Sequence, residues 1–172
     1  KALDTIEESI YSYYTDDQHT FLVADKVNLN TGKIDEELSL FTVSKTNKFY
    51  SPANNALYDK KGKDTFVHEQ NLIISENKVV VIMGCGHAGV VNIMEEAKKY
   101  QPHFCIGGFH LFNPLTKKTV SKELLNSIAM ELQKYKDIEF YTCHCTGEKA
   151  YHYLSQQMDN MNYMSCGNVI EI

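Results

Sequence analysis

The sequence predicts an α/β fold, because short apolar runs alternate with amphipathic segments through its second half. From residue 78 onward, three apolar runs are each followed by a segment with helical spacing. This alternation is typical of βαβ units, which place parallel strands side by side in one sheet. We therefore expect a hairpin-rich section (1–77) followed by a β-α-β-α-β-α-β section (78–172). Together they would form a single domain or the carboxyl-terminal part of one.

The first section is rich in tyrosine and in turn signals such as "NTGK", "SPANN" and "KKGKD". "ALDTIEESIYSYY" (2–14) is interpreted as an opening helix, and three runs are interpreted as short strands. These strands are "HTFLVAD" (19–25), "ELSLFTV" (37–43) and "NLIIS" (71–75). The last of them is expected to form a hairpin with the next strand through a turn at 76–78.

The second section gives clearer boundaries. Its predicted strands are "KVVVIMG" (78–84), "HFCIGG" (103–108), "DIEFYTC" (137–143) and a closing "NVIEI" (168–172). Its predicted helices are 87–100, 121–135 and 147–160, the second of which Ser121 is placed to cap. A loop containing Pro114 precedes that second helix.

The composition of the chain argues against a nucleic-acid-binding or membrane-spanning protein. The chain has 172 residues and a formal charge of −5 without a long basic block, which argues against sequence-independent binding to nucleic acid. No apolar run approaches the roughly 20 residues of a membrane-spanning helix. Five cysteines without a Cys-x-x-Cys pair, and no secretory segment, favour reduced thiols and a cytoplasmic location. The chain begins at Lys1, so we expect that a preceding segment has been removed.

Three histidines follow three predicted strands. His87, His110 and His144 each come shortly after an apolar run and before a helix or loop. In open α/β sheets the carboxyl ends of the strands form the crevice where ligands bind. Three imidazoles at one such edge, beside glycines that allow close approach, favour a metal site.

The other histidines are interpreted differently. His103 lies at the opposite end of the strand before His110, roughly 23 Å away at about 3.3 Å per residue, so it cannot share the site. His152 and His19 are interpreted as structural or solvated residues. His68, next to Glu69 and just before a strand, is a candidate for lining the site.

The stretch Cys143-His144-Cys145 allows a metal ligand set, a redox pair, or one ligand with two neighbours. In extended backbone the two thiols point away from the face that carries the imidazole, so one ion cannot take all three. His144 is then the better ligand. Cys145 approaches the site only if the chain turns there.

Four motifs resemble one known family. "GCGHAGVVNI", "IGGFHLF" and "YTCHCTGEKA", with "DTFVHEQNLII" upstream, are similar to the carboxyl-terminal part of metallo-β-lactamase-fold hydrolases. The branch that includes dihydropterin-type synthases of methanopterin biosynthesis is the most similar, and the resemblance covers roughly residues 64–172. It implies an αββα sandwich with a one- or two-metal site at the sheet edge.

The resemblance also assigns roles by position. It makes His87 and His144 ligands of zinc, or of manganese or iron, with two ions in the intact protein. His110 stands where many members carry a bridging aspartate, so it would bind metal or contact substrate. The helix start at Thr146 and Gly147, with Lys149 nearby, would bind an anionic oxygen of the substrate. No catalytic acid or base is assigned.

One family signature is missing from the sequence. His-x-His-x-Asp-His, which supplies most of the metal ligands, occurs nowhere in the chain. We therefore expect these residues to be the carboxyl-terminal portion of a longer protein, with the missing amino-terminal portion as a partner. An exposed sheet face would then favour homo-oligomers.

Three functions follow as competing hypotheses. The first is hydrolysis of an ester or phosphoester of a small-molecule substrate by a metal-activated water. The second is carbon–nitrogen bond formation on a pterin-like phosphate. The third is a catalytically inert fragment. Nothing in the sequence favours a serine or cysteine nucleophile, because the dyads Cys85–His87 and Cys143–His144 would have poor geometry.

Overall fold

The computed structural model describes residues 11–15, 20–24, 31–44, 48–59 and 62–172. The chain forms two compact units, residues 1–30 and residues 31–172. In the first unit, β1 (Tyr11–Thr15) pairs antiparallel with β2 (Thr20–Ala24). β2 confirms the predicted strand over 19–25. The opening helix is wrong for residues 11–14, which belong to strand β1, and the rest of that prediction lies outside the described residues.

A seven-stranded mixed sheet organises the second unit. The described strands of this unit are β3 (Gly32–Lys33), β4 (Leu38–Thr42), β5 (Tyr58–Asp59), β6 (Gly62–Lys63), β7 (Gln70–Ser75), β8 (Val79–Ile82), β9 (Phe104–Gly107), β10 (Phe112–Asn113), β11 (Lys118–Thr119), β12 (Glu139–Thr142) and β13 (Met161–Tyr163). The strand order in the sheet is β13-β12-β9-β8-β7-β4-β3, in which β3, β4, β7 and β8 pair antiparallel and β8, β9, β12 and β13 pair parallel. Two further two-stranded ladders, β5–β6 and β10–β11, lie in the loops.

Each parallel pair of strands is joined through a helix. The helices are α1 (Val90–Ala97), α2 (Lys122–Leu132) and α3 (Glu148–Ser155), and short 3₁₀ turns occupy Pro52–Ala56, Lys98–Tyr100 and His144–Thr146. Ser121 caps α2 as predicted, because its hydroxyl accepts a hydrogen bond from the Leu124 N–H. No helix in the described ranges is long and apolar enough to cross a bilayer.

The core lies between the sheet and these helices. One row of strand residues, Ile73, Val81, Cys105, Phe140 and Met161, is paired across neighbouring strands and buried. These side chains belong to one apolar cluster with the buried faces of the three helices. Burial on this scale fixes the register of every strand, because a shift of one residue would turn the row away from the helices.

The predicted architecture of the second section is confirmed, with two corrections. The closing strand is Met161–Tyr163 rather than 168–172, where the chain has no regular structure and Val169 is exposed. The loop around Pro114 contains the small β10–β11 hairpin, which was not predicted. The predicted turn at 76–78 is confirmed, since Ser75 pairs with Val79 across it.

Candidate metal centre

The three candidate histidines lie beyond the carboxyl ends of β8, β9 and β12, which are adjacent and parallel. The rings of His87 and His110 approach with their centroids 4.0 Å apart. His144 is close enough for its charge to lower the pKa of His110. The sheet topology therefore brings the three histidines to one edge. Within the described residues, however, the group whose donor atoms all lie within 4.8 Å of one another is Cys85, His144 and Cys145, so the binding of one ion by the three histidines stays a prediction.

His87 is held in a defined orientation by Asn54. The Asn54 Nδ2 donates to the His87 carbonyl over 2.9 Å, so its Oδ1 faces the His87 Nδ1 at 2.8 Å as an acceptor. The Nδ1 must then carry the proton, which leaves the lone pair of Nε2 free. This is the tautomer that a metal ligand requires, with its other nitrogen fixed by a hydrogen bond.

The backbone of His87 is fixed by the carboxylate of the residue that precedes β7. Glu69 accepts hydrogen bonds from the N–H groups of His87 and Ala88, both at 2.8 Å. Phe66 stacks on the imidazole, with ring centroids 4.5 Å apart and planes 8° from parallel. Burial lowers the pKa of His87, so the neutral ring is favoured near pH 7.

The ring of His110 has the fewest hydrogen bonds of the three candidate histidines. The residue is 8% exposed, and neither ring nitrogen makes a hydrogen bond of good geometry within the described residues, although the Ala53 backbone lies close enough to raise the pKa of the ring. Burial, followed by the neighbouring His87, lowers its pKa to about 4. The Ser51 hydroxyl donates to its carbonyl over 2.5 Å, which anchors the backbone while the ring stays free. A buried imidazole without a well-formed hydrogen bond is the observation that a bound ion would explain.

His144 lies where the chain stops being extended. Cys143 is extended, His144 has a φ of 50°, and the 3₁₀ turn His144–Thr146 follows. His110 (φ 47°) and Phe66 (φ 55°) also occupy the left-handed region, which favours glycine. Such backbone strain tends to cluster at functional sites.

The turn at His144 brings a second cysteine into the site. Cys85 Sγ lies 3.9 Å from His144 Nδ1, and the donor atoms of Cys85, His144 and Cys145 all lie within 4.8 Å of one another. The sequence suggested only the neighbouring pairs Cys85–His87 and Cys143–His144, whose geometry is poor for a nucleophile and its base. The structure instead brings Cys85 to His144 from a different strand end, a contact that the sequence did not reveal. Burial raises the pKa of Cys145 to about 12, so this thiol stays protonated near neutral pH when no metal is bound.

A cavity of about 440 Å³ opens beside His144. Its walls include Phe112, Lys117, Gly147, Lys149 and Tyr163. Gly147 and Lys149, predicted to bind substrate, therefore lie on the cavity wall.

The other two predicted substrate residues are placed differently. Thr146 is buried; its hydroxyl accepts from the Phe109 N–H over 2.9 Å and bonds Thr142. Its described contacts are thus inside the core. His68 stands next to Phe66, 3.6 Å from the Asp64 carboxylate, and is close enough to His87 for its charge to lower that residue's pKa.

The remaining histidines stay apart from the site where they are described. His103 lies at the amino end of β9, where its Nδ1 accepts from the Val79 N–H. His152 is exposed on α3. His19 lies outside the described residues.

Sequence reasoning missed the residues that support the histidines. Ser51 and Asn54 come from the "SPANN" turn and Glu69 from the start of the β7 segment. The turn-forming composition of residues 51–55 is visible in the sequence, but no periodicity connects it to histidines that lie 33 and 59 residues further along the chain. Only the folded chain shows that this turn contacts both His87 and His110.

The fold is of the metallo-β-lactamase-like α/β type, and its sheet edge carries a candidate metal centre. The chain matches the crystal structure of a metal-dependent hydrolase of the β-lactamase superfamily with a TM-score of 0.57 and 22% identity. The match covers 79% of this chain and 53% of that one. The fold predicted from the four motifs is therefore confirmed.

Two curated proteins of Methanocaldococcus jannaschii are similar in sequence. An uncharacterised protein is 36% identical over 114 residues, which is 66% of this chain and 40% of that protein. A 7,8-dihydropterin-6-methyl-4-(β-D-ribofuranosyl)-aminobenzene-5′-phosphate synthase is 26% identical over 104 residues, 58% of this chain and 33% of that enzyme. The chain thus spans less than half the length of either relative. No protein-family model matches it.

Proposed function

We propose that this chain is part of a metal-dependent hydrolase in which His87, His110 and His144 bind the metal. The observation that carries the proposal is the pair of neutral imidazoles at the sheet edge. His87 keeps its Nε2 lone pair free, and the buried His110 makes no hydrogen bond of good geometry through either nitrogen. Their ring centroids lie 4.0 Å apart, closer than the roughly 5 Å of two imidazoles on one tetrahedral ion, so the rings need to turn apart slightly to share it. Imidazole nitrogen is a common ligand of zinc and its neighbours in the periodic table.

The metal would supply the hydrolytic chemistry. When bound, a divalent ion polarises an ester or phosphoryl oxygen and lowers the pKa of water toward neutrality. The residues of this chain then have two tasks. Asn54, Glu69 and Phe66 keep His87 in one orientation, and Ser51 keeps His110 in place.

The cavity beside His144 supports a substrate with an anionic group. Lys117 and Lys149 provide two positive charges on its wall against the single carboxylate of Glu148, while Phe112 and Tyr163 provide apolar surface. The first-turn N–H groups of α3 add partial positive charge at the same place. A phosphoester with an aromatic or other apolar part fits this combination.

The resemblance to metallo-β-lactamase-fold hydrolases also supports proposals about the intact protein. We propose that it is cytoplasmic and that it binds a second metal ion. We also propose that the amino-terminal portion absent from this chain is its partner, and that the chain self-associates through an exposed sheet face. The shares of 40% and 33% of the curated relatives support an intact protein longer than this chain.

The experiment is hydrolysis of a chromogenic phosphodiester by the protein loaded with zinc, manganese or iron. We expect His87→Ala, His110→Ala and His144→Ala each to lower kcat/KM at least tenfold. His152→Ala is the matched control, because it removes an exposed histidine from α3. Activity that is unaffected by the three substitutions, or that survives complete removal of metal, contradicts the proposal.

The sequence similarity to the dihydropterin-type synthase favours a second candidate. In this alternative the same cavity binds a pterin-like phosphate, and the reaction forms a carbon–nitrogen bond. The aromatic and lysine side chains on the cavity wall suit that substrate class as well. Substrate profiling separates the two, since turnover of pterin diphosphates without hydrolysis of phosphodiesters supports the synthase. An inert fragment turns over neither.

A further inference from the structure

Two thiols and one imidazole from separate segments meet at the sheet edge. Cys85 follows β8, and His144 and Cys145 follow β12. The donor atoms of the three residues lie within 4.8 Å of one another, and Cys85 Sγ is 3.9 Å from His144 Nδ1. A tetrahedral zinc ion with its usual bond lengths spaces sulfur and nitrogen ligands about 3.5 to 3.8 Å apart. The three donors therefore need only small shifts to share one ion.

The backbone around the thiols leaves room for them. A Cβ added to Gly108 would lie 2.5 Å from the Cys145 Sγ and 3.2 Å from the Gly84 carbonyl. The position after β9 thus accommodates the sulfur only because it is a glycine. The Cys145 thiol reaches toward β8 and donates to the Cys85 carbonyl over 3.4 Å.

We infer that Cys85, Cys145 and His144 form a metal position with two thiolate ligands, next to the His87–His110 pair. It takes a thiophilic divalent ion such as zinc or cobalt, because soft sulfur ligands select such metals. Three protein donors leave one of the four tetrahedral positions for water or substrate, and His144 lines the cavity that a substrate would enter. The inference rests on the proposed function in taking His144 as a metal ligand, and it assigns this imidazole to the ion held by the two thiolates rather than to the ion held by His87 and His110.

The same contacts allow another interpretation, a cysteine nucleophile activated by His144. A nucleophile and base need only the pair Cys85 and His144. That interpretation gives no role to Cys145, which is directed into the same small space. A coordinated thiolate is also a poor nucleophile toward alkylating reagents, which makes the two distinguishable.

The test is titration of the reduced protein with Co²⁺, read by thiolate-to-cobalt charge-transfer absorption in the near ultraviolet. We expect the wild type to show this band, and Cys85→Ser and Cys145→Ser each to lose about half of its intensity, because the band scales with the number of thiolate ligands. The double variant should lose it completely. Cys143→Ser is the matched control from the same segment, and Cys166→Ser is the exposed one.

The outcomes separate this inference from the proposed function. A wild-type protein that binds Co²⁺ and hydrolyses substrate without a charge-transfer band overturns the thiolate site and leaves the hydrolase proposal standing. A band that depends on Cys85 and Cys145 in a protein without hydrolase activity supports the site alone. Circular dichroism of the serine variants checks that they are folded. Alkylation of Cys85 by iodoacetamide at the same rate with and without Co²⁺ also overturns the inference.

Discussion

Asn54 links the local backbone to the chemistry of His87. Its side chain is fully buried, and it contacts His87 twice, through the carbonyl and through Nδ1. Because an amide presents a donor and an acceptor in fixed positions, the first hydrogen bond determines the direction of the second. A single residue from a loop thus sets which imidazole nitrogen is available to a metal.

We predict that Asn54→Leu weakens metal binding about 10- to 100-fold, the range found when groups that orient a ligand are removed. The reason is that His87 loses the partner that fixes its tautomer. Zinc affinity by competition with a chromophoric chelator measures the effect. Asn55→Leu is the control, because Asn55 is exposed and its side-chain contact is with Lys63. Equal affinities for the two variants would show that Asn54 has no such role.

Residue-level reasoning from sequence succeeded where strand ends define a position. His87, His110 and His144 were predicted together because apolar runs mark the ends of parallel strands. Asn54 and Glu69 could not be found in this way, since they approach His87 from segments 33 and 18 residues earlier in the chain. Cys145 depended on whether the chain turned after Cys143, which the sequence left open. The turn at His144 settles its position beside Cys85.

At the scale of elements, the turns after β8 and β9 pack against each other and against the turn after β12. The Gly108 N–H donates to the Gly84 carbonyl over 2.8 Å, and Cys145 lies against Gly108. The close packing of these turns is what keeps Cys85 near Cys145. The two glycines differ in the space around them. An added Cβ at Gly84 would meet no atom within 4 Å, whereas one at Gly108 would lie 2.5 Å from the Cys145 Sγ.

We predict that Gly108→Ala lowers the free energy of unfolding by about 1 to 3 kcal/mol, the usual cost of overpacking a close contact. Urea unfolding monitored by circular dichroism measures it. Gly84→Ala is the matched control and should change stability by less than about 0.5 kcal/mol, as surface substitutions do.

A second substitution identifies the contact responsible. Cys145→Ala removes the sulfur that the new Cβ would meet. In the double variant, Gly108→Ala should therefore cost much less than it does in the wild type. Additive effects of the two substitutions would mean that the strain arises elsewhere, for example at the Gly84 carbonyl.

Element boundaries show where sequence patterns failed. "NVIEI" has the β-branched and apolar composition of a strand. The segment that follows α3 and pairs with β12 is nevertheless the earlier Met161–Tyr163. Residues 168–172 lie beyond that pairing. Composition alone could not tell which of two short apolar segments reaches the sheet first. α3 also ends at Ser155, several residues before its predicted end.

At the scale of the whole molecule, the candidate site connects the ends of three neighbouring strands. Its residues follow β8, β9 and β12, with supporting groups from the 48–59 loop and from Glu69. An ion bound by ligands from all three strand ends binds the folded chain far better than the unfolded one. Metal binding must then stabilise the fold by mass action.

We predict that free zinc at 100 times its dissociation constant raises the free energy of unfolding by about 2.7 kcal/mol, and that a chelator reverses the increase. Urea unfolding with and without zinc measures it. The combined variant His87→Ala/His110→Ala/His144→Ala should show less than a third of this increase, whereas His152→Ala should show all of it. An equal increase in the combined variant would place the stabilising ion elsewhere in the chain. If the wild type gained no stability while zinc still bound, the ligands could not lie on three strand ends that separate on unfolding, and the site at this edge would be wrong.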